Sequence, residues 1–347
     1  MTTPIYPSKR FYRAGFKLTP ADTGEWGTGI ALVPASGILI ENDGNPTLKQ
    51  PYDPHDDIDA IMALDGDLGP IGAVDFAPDF AERYDPGPLG SMIAALFGTC
   101  PVPSASKSTI DWADAVSRFG TFASERPGTI IEVTSAMPMK YNLKIAGGLL
   151  KGSIGLRGNT LITDSALNTA AVMLALTYQD RGNRIKFSEG VLRMNAEIGE
   201  ALASTDELEI SDIDVGYERT LDDVHVAKSE TIILPKEKGF KMTVKITLPR
   251  TSAANLAYLA TFKAMAAQKM DIVFTSPNIV SEAIHYGRTY GFPRLKLTAP
   301  PAAPLADIMT TVLTFEAEEA AEAPDGMTGH VRPYIEMVNK QATGYLA

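Results

Sequence analysis

The most constraining feature of the sequence is a strand pattern that runs directly into a helix pattern within Glu237–Lys269. Every second residue from Phe240 to Leu248 is apolar, and Lys or Thr fills the positions between, which is typical of a half-buried strand. Pro249 stops this strand, and Ala253–Lys269 then carries apolar residues on one side of a predicted helix. The segment therefore predicts a strand followed at once by a helix.

An earlier part of the chain repeats this pattern. Shifting the sequence by 170 residues aligns positions 38–97 with positions 208–267 without a gap. Predicted strand, turn and helix stay in register, and identical pairs include Ile40/Ile210, Asp53/Asp223, His55/His225, Gly69/Gly239, Val74/Val244 and Leu89/Leu259. The match predicts a structural duplication. Chance similarity between two strand–helix segments is the alternative.

In the first copy, Asp85 followed by Pro86 predicts a helix start, and Gly98 predicts its end. Apolar residues between them recur at helical spacing: Leu89, Met92, Ile93 and Leu96.

The remaining chain predicts many short strands and few helices. A short helix is expected around Trp112 in Ile110–Val116, and a helix or packed connector in Asp164–Thr177. The other predicted strands are Ala31–Val33, Ile38–Ile40, Ile71–Phe76, Thr129–Val133, Tyr141–Ile145, Leu149–Leu156, Arg184–Phe187, Val191–Asn195, Glu207–Ile210, Met270–Phe274, Arg294–Thr298, Met309–Glu316 and Tyr334–Val338. This order predicts a mainly β protein (α+β) with a helix flanking each sheet unit.

Charge and length narrow the class of protein. With 347 residues the chain can form one large domain or two ordinary ones, and its net charge of −11 argues against a constitutive nucleic-acid-binding surface. The single Cys100 rules out an intrachain disulfide. The N-terminus lacks the apolar core of a secretory signal, and the longest apolar run, Ala166–Tyr178, is too short to span a bilayer. We expect a protein assembled inside a cell, without a membrane partner.

The sequence offers no catalytic constellation. The densest polar cluster is Asp53–Asp59, which reads better as a turn than as a cation site because Asp and Asn satisfy turn backbones. The four His residues lack zinc-ligand spacing, and Cys100 follows a predicted helix C-terminus, which raises a thiol pKa. Glu316–Glu322 is expected to be a solvated charge run. We therefore predict no enzyme activity, no catalytic, cofactor-binding or metal-binding residues, and no cofactor.

The order of these segments resembles tail tube proteins of long-tailed bacteriophages. The stretches that carry the resemblance are GAVDFAPDF and LGSMIAALFGT in the first copy, and KMTVKITLPRTSAANLAYLATFKAMAAQKMDIVF and GMTGHVRPYIEMVN in the second. The resemblance covers the chain from about residue 30 onward and rests on order and pattern rather than on a diagnostic motif.

The resemblance implies packed antiparallel sheets with a flanking helix, arranged as two tandem β-sandwich or barrel units. Strands of neighbouring subunits then form a closed β-barrel ring, and rings stack into a virion tail tube that conducts double-stranded DNA at ejection. Two units per chain predict a pseudo-six-fold homotrimer; without a duplication the ring is a hexamer. The expected organisation is an N-terminal arm (1–30), a first tube domain (31–160, with an extended loop at 101–127), a connector (161–183) and a second tube domain (184–347).

The implied partners are other copies of the chain and the tail terminator, tape measure and distal tail proteins, with assembly in the host cytoplasm. The acidic balance predicts a negative lumen wall over which DNA slides without specific binding. Two alternatives remain: another ring-forming component of a phage tail or injection device, and a β-rich metal- or ligand-binding protein that uses Asp53–Asp59.

Overall fold

The chain folds as a mainly β protein in which one large antiparallel sheet dominates. The computed structural model describes residues 12–20, 24–48, 52–54, 66–68, 72–104, 106–113, 118–226, 231–249, 257–301 and 310–346. Strands make up 50% of the structure, against 11% for helices. The mainly β class expected from the sequence is confirmed.

The described residues form three α-helices and twenty strands. The helices are α1 (Pro88–Phe97), α2 (Ala170–Leu174) and α3 (Ala257–Ala264). The strands are β1 (Arg13–Leu18), β2 (Thr47–Leu48), β3 (Tyr52–Pro54), β4 (Gly66–Leu68), β5 (Val74–Phe76), β6 (Asp79–Ala81), β7 (Gly98–Thr99), β8 (Lys107–Trp112), β9 (Gly120–Arg126), β10 (Thr129–Ala146), β11 (Leu149–Gly158), β12 (Thr160–Thr163), β13 (Gly190–Ala196), β14 (Glu207–Leu208), β15 (Asp212–Asp222), β16 (Lys236–Leu248), β17 (Gln268–Ser281), β18 (Ile284–Leu297), β19 (Thr311–Glu318) and β20 (Tyr334–Val338).

The strands of the large sheet follow a continuous order of hydrogen-bonded neighbours. The main order is β2–β5–β11–β10–β15–β16–β19–β18–β17–β13, antiparallel throughout. Four strands have further partners: β10 also pairs with β9 and β12, β18 with β20, β11 with β6, and β13 with β14. β9 leads on to β1, and β20 leads on to β8 and β7. β3 and β4 pair as a separate two-stranded sheet.

Alternation along the strands decides which face of the sheet is buried. In β15 the side chains of Ile213, Val215 and Tyr217 are buried, whereas Asp212 and Asp214 are exposed. β16 continues the pattern predicted from its sequence, and it ends at Leu248, directly before Pro249. The sheet therefore has an apolar face against the core and a polar face toward solvent.

Several predicted strands differ from the structure. Thr129–Val133 and Tyr141–Ile145 belong to one strand, β10, which continues through a bulge where Ser135 has a φ of 51°. Ala31–Val33 and Ile38–Ile40 are not strands; the Ile38 N–H donates to the Ala14 carbonyl, and regular pairing does not extend further. Local alternation cannot reveal these outcomes because pairing partners decide them.

The helices are shorter than predicted. α1 begins at Pro88 with Gly87 at its N-cap, two residues after the expected start at Pro86, and Gly98 ends it in the left-handed conformation, as predicted. Within Asp164–Thr177 only α2 is helical. The predicted helix of Ala253–Lys269 is helical at Ala257–Ala264 among its described residues, and strand β17 already begins at Gln268.

The described part of the segment around Trp112 is a strand and not the short helix predicted for Ile110–Val116, of which residues 114–116 lie outside the described residues. Ser108, Ile110 and Trp112 are buried at every second position of β8, and this strand pairs with β20. A period of two places these side chains on one face of a strand, and a helical period does not. β20, near the C-terminal end of the described residues, therefore has a partner strand, β8, from the first third of the chain.

One apolar core extends through both halves of the chain. It includes α1, whose residues from Leu89 to Phe97 are buried except for Ser91, and inward residues from β10, β15, β16, β18 and β19. Leu89, Met92, Ile93 and Leu96, the apolar stripe predicted for this helix, all lie in the core. α1 packs across the buried face of the sheet, against β10 and β1.

A buried ionic network joins the two halves within this core. Glu82, just after β6, lies with its Oε2 3.7 Å from Arg288 Nη1 on β18, and both side chains are essentially inaccessible to solvent. The Tyr141 hydroxyl donates to Glu82 Oε1 at 2.6 Å, and Arg288 Nη2 donates to the Arg83 carbonyl at 2.8 Å. Burial raises the pKa of the Glu82 carboxyl, and the charge of Arg288 opposes that rise. The buried charge of Glu82 in the first half is therefore compensated by Arg288 in the second half.

We expect Glu82→Ala to lower the free energy of unfolding by about 3–5 kcal/mol because it leaves the Arg288 guanidinium buried without its counter-charge. Urea unfolding followed by fluorescence measures the loss. Asp222→Ala, which removes an exposed ion pair with Lys238, is the control and should cost less than about 1 kcal/mol. The double variant Glu82→Leu/Arg288→Met should recover most of the loss, and equal costs for Glu82→Ala and Asp222→Ala would contradict this account.

Candidate functional site

The polar clusters singled out in the sequence do not assemble into a reactive centre in the described ranges. Asp53 lies in β3, and His55, Asp56, Asp57 and Asp59 lie outside the described residues. In the parts of the chain that the structure describes, no group of three or more His, Cys, Asp or Glu side chains is placed to hold a metal ion. The Cys100 thiol is partly buried, and burial raises its pKa, which disfavours the thiolate.

A cleft lies between β1, α1 and the last described residues. It has a volume of about 470 Å³ and is open to solvent. Its lining includes Phe16, Lys17, Ser91, Arg118 and Tyr345. The Lys17 ammonium donates to the Ala31 carbonyl, and the Tyr345 hydroxyl accepts from the Asn339 amide. These are structural contacts and not those of a nucleophile–base pair.

The more informative site is the sheet itself, because the same order of pairing occurs twice. In the first half of the chain four strands follow the order β2–β5–β11–β10, which we call the first four-strand run. In the second half of the chain four strands follow the order β15–β16–β19–β18, which we call the second four-strand run. The elements of both runs also follow each other along the chain in the same order. Two paired strands come first, then a helix (α1 or α3), and then a long strand and the strand that returns beside it.

The flanking strands correspond as well. The first part of β10 pairs with β9, which pairs with β1, and its other edge pairs with β12. The first part of β18 pairs with β17, which pairs with β13, and its other edge pairs with β20. In both long strands the register shifts at a bulge, between Val133 and Ala136 in β10 and between Phe292 and Leu295 in β18. After its bulge each strand joins the four-strand run.

One strand pair joins the two runs edge to edge. β10 pairs with β15 from Lys140 opposite Glu218 to Lys144 opposite Asp214. The Lys140 ammonium lies 3.6 Å from the Glu218 carboxylate across this join. The last strand of the first run is thereby paired with the first strand of the second.

Arg219 of β15 reinforces the join from the core side. Its Nε donates to the Leu96 carbonyl at 2.5 Å, and its Nη2 donates to the carbonyls of Phe97 at 2.9 Å and Ala113 at 2.8 Å. The guanidinium also pairs with Glu237 and lies 3.9 Å from the ring centroid of Trp112. A strand of the second half therefore supplies the cation at the C-terminus of α1, where a helix favours positive charge.

The outer ends of the two runs have edges that the described pairings leave open. Within the described residues β2 pairs with β5 alone, and both Thr47 and Leu48 are exposed. At the other end, Arg294–Leu297 of β18 pair with β19 on one side, and on the other side the described pairings reach only Leu295. Open edges expose backbone N–H and C=O groups that can pair with another strand.

The two corresponding helices differ in burial. α1 is covered by β1, β7, β8 and β10, whereas α3 lies on the surface with Leu259 exposed to 37%. Met265, directly after α3, is exposed to 73%. Of the apolar side predicted for this helix, Leu259 and Met265 are exposed, Phe262 is half-buried, and Leu256 lies outside the described residues.

The polar face of the sheet carries charge that changes sign from strand to strand. Its acidic positions are Asp212, Asp214 and Glu218 on β15, Glu316 and Glu318 on β19, and Asp75 on β5. Its basic positions are Lys140 and Lys144 on β10, Lys241 and Lys245 on β16, Arg294 and Lys296 on β18, and Lys151 and Arg157 on β11. Neighbouring strands therefore present opposite signs except at β10 and β11, which are both basic.

Close contacts confirm that these charges pair across strands. Lys296 Nζ lies 2.8 Å and Arg294 Nε 3.0 Å from Glu318 Oε2, and the pKa of the Glu318 carboxyl is lowered, chiefly by the hydrogen bond from Lys296. Arg157 Nε lies 2.9 Å from Asp75 Oδ1. Glu316 and Glu318 belong to the run expected to be simply solvated, and the sequence alone did not reveal this cross-strand arrangement because it depends on register.

No protein-family model matches the chain, and no curated protein matches it. In the described residues no helix has the length and apolar character required to cross a membrane.

We expect Arg219→Lys to lower the free energy of unfolding by about 2–3 kcal/mol, the scale of a lost hydrogen bond to a charged group, because an ammonium cannot reproduce the planar fork. Urea unfolding of the unassembled protein measures the effect. Arg13→Lys is the matched control, since Arg13 pairs with Glu125 near the surface and should lose less than about 1 kcal/mol. Similar losses for the two variants would show that Arg219 does not stabilise the join.

Proposed function

We propose that this chain is a tail tube subunit of a long-tailed bacteriophage. Three copies form a pseudo-six-fold ring, and stacked rings make a virion tube through which double-stranded DNA passes at ejection. The observation that carries the proposal is the pair of matching four-strand runs, joined by β10 and β15, with an open edge at each outer end. The role is structural and needs no catalytic group.

The join between β10 and β15 supports ring closure because it is a template for the contact between chains. β18 occupies in the second run the place of β10 in the first, and β2 occupies in the first run the place of β15 in the second. Pairing β18 of one chain with the β2 edge of the next repeats the internal join. Three chains then supply six runs to one closed barrel, which removes the open edges.

The exposed surface of α3 supports the same contact. Within the chain, α1 is held at its C-terminus by Arg219 from the run that follows it. α3 occupies the corresponding place in the second run, so the next chain is the partner that would cover it. Leu259 and Met265 would then be buried at the interface.

The proposed organisation keeps the two tube domains expected from the sequence, but the expected loop at 101–127 contains strands β8 and β9, and the first unit also takes in β1. A first tube domain at 31–160 and a second at 184–347 each contain one four-strand run, and the connector at 161–183 contains α2. β1, which lies within the expected N-terminal arm, pairs with β9 as β13 pairs with β17, and it therefore belongs structurally with the first unit. Tail terminator, tape measure and distal tail proteins are the further partners of such a subunit.

The proposed lumen wall differs from the negative wall expected from net charge. If the polar face of the sheet lines the lumen, the wall carries cross-strand pairs of both signs, with Lys and Arg as prominent as Asp and Glu. Further exposed acidic residues lie outside the strands of the four-strand runs: Glu200, Glu207, Glu209, Glu319, Glu322 and Asp325. The net charge of −11 is thus a poor guide to the charge of this face.

Purified protein should form rings and tubes in negative-stain electron microscopy, and native mass spectrometry should give three chains per ring. Six chains per ring would replace the trimer by the hexameric alternative. Rings that never stack would favour another ring-forming tail component. Discrete monomers at every concentration, with or without the partner proteins, would rule out the tube.

We expect Leu259→Glu to weaken assembly because a carboxylate replaces a leucine whose burial between chains contributes about 1.5–3 kcal/mol per contact. Sedimentation velocity across a concentration series should show that the variant assembles only at a concentration at least tenfold higher than wild type. The melting temperature of the unassembled protein should be unchanged. Leu174→Glu in α2 is the matched control, because Leu174 is also an exposed helical leucine and lies outside the proposed interface. Unchanged assembly of Leu259→Glu would exclude α3 from the contact.

A further inference from the structure

The acidic strand β15 lies between two basic strands on the polar face of the sheet. Lys140 and Lys144 of β10 flank it on one side, and Lys241 and Lys245 of β16 flank it on the other. Each of two carboxylates on β15 faces both neighbours. Glu218 is opposite Lys140 and Lys241, and Asp214 is opposite Lys144 and Lys245.

These positions are accessible to a large ligand. Asp214, Glu218, Lys144, Lys241 and Lys245 are exposed, and Lys140 is half-exposed with its ammonium 3.6 Å from Glu218. Strand spacing and rise place the backbone positions of the four lysines about 10 Å apart across the sheet and about 14 Å apart along the strands. These spacings are comparable with the roughly 12 Å width of the DNA major groove. The lysines are therefore spaced to contact several phosphates of one duplex.

We propose that this part of the polar face is a latent binding surface for the phosphate backbone of double-stranded DNA, kept inactive by the β15 carboxylates Asp214 and Glu218. Each carboxylate faces one lysine on each neighbouring strand and offsets part of their positive charge, so fewer condensed counterions are released when a duplex approaches. Because counterion release provides most of the non-specific affinity for DNA, the paired surface holds a duplex weakly. The DNA can then slide along the face.

Cross-strand pairing explains why both signs of charge are present. Opposite charges on neighbouring strands stabilise the register, whereas a face made only of carboxylates would place like charges opposite each other and destabilise the sheet. The arrangement therefore combines a stable strand register with low affinity for phosphates. A uniformly acidic wall would repel DNA but would weaken the sheet that forms it.

The inference rests on the proposed function for the presence of DNA at this face, but its test does not require assembly. The test variant is Asp214→Asn/Glu218→Gln, and binding of a short fluorescein-labelled DNA duplex is followed by polarisation across a salt series. We expect wild-type protein to bind weakly even at low salt. The variant should bind at least tenfold more tightly, with a log–log salt slope of about −3 to −4, as expected for four phosphate contacts.

Two further variants separate the local effect from net charge. Glu200→Gln/Glu322→Gln changes the net charge equally at exposed sites outside the polar face and should bind DNA as weakly as wild type. Adding Lys144→Gln and Lys245→Gln to the test variant should remove the gained affinity. Circular dichroism and melting temperature verify that each variant is folded.

Each outcome bears on the inference. Tight binding by wild-type protein, or equal gains in the test and control variants, would overturn it. A folded test variant that still fails to bind would also overturn it, even if electron microscopy shows tubes and thereby supports the proposed function. Gained binding without tubes would support the latent surface while the proposed function fails.

Discussion

The backbone pairing between β10 and β15 is the contact on which the rest of the arrangement depends. It joins two four-strand runs into one sheet, and it gives one run a neighbour at an edge that would otherwise be open. The same pairing places Arg219 beneath the C-terminus of α1, so that the sheet join and the helix–sheet packing are fixed together. The outer strands of the two runs, β2 and β18, keep backbone groups that the described pairings leave open.

The two halves are bound to each other more closely than two domains on a linker. Glu82 and Arg288 form a buried ion pair across them, and the apolar core is continuous through both. β8 of the first half completes the sheet around β20 of the second. Relative movement of the halves would break buried polar contacts as well as apolar ones.

The sequence predicted the strands whose patterns are purely local, and it failed where pairing decides the outcome. β16, β20 and the apolar stripe of α1 follow directly from periodicity. The continuity of β10 through its bulge, and the strand that replaces the helix expected around Trp112, depend on distant partners. The repeat detected at an offset of 170 residues covers the hairpin and the helix, whereas the matching order of the later strands emerges only from their pairings.

The surface features were the least predictable. The charged residues at alternate positions of β15 and β16 are visible in the sequence, but only the register shows that opposite charges face each other across the two strands. The net charge of −11 suggested a uniformly acidic surface instead. The exposure of α3 could not be predicted because an apolar helix face looks the same whether its own chain or another chain covers it.

The pairing of β20 with β8 has a consequence for synthesis of the protein. Tyr334 and Asp111, which are opposite each other in this pair, are separated by more than half of the chain. β8 therefore cannot pair with β20 until β20 has left the ribosome, and contacts this distant in sequence form slowly. This part of the sheet therefore forms late, after the chain between the two strands has been synthesised.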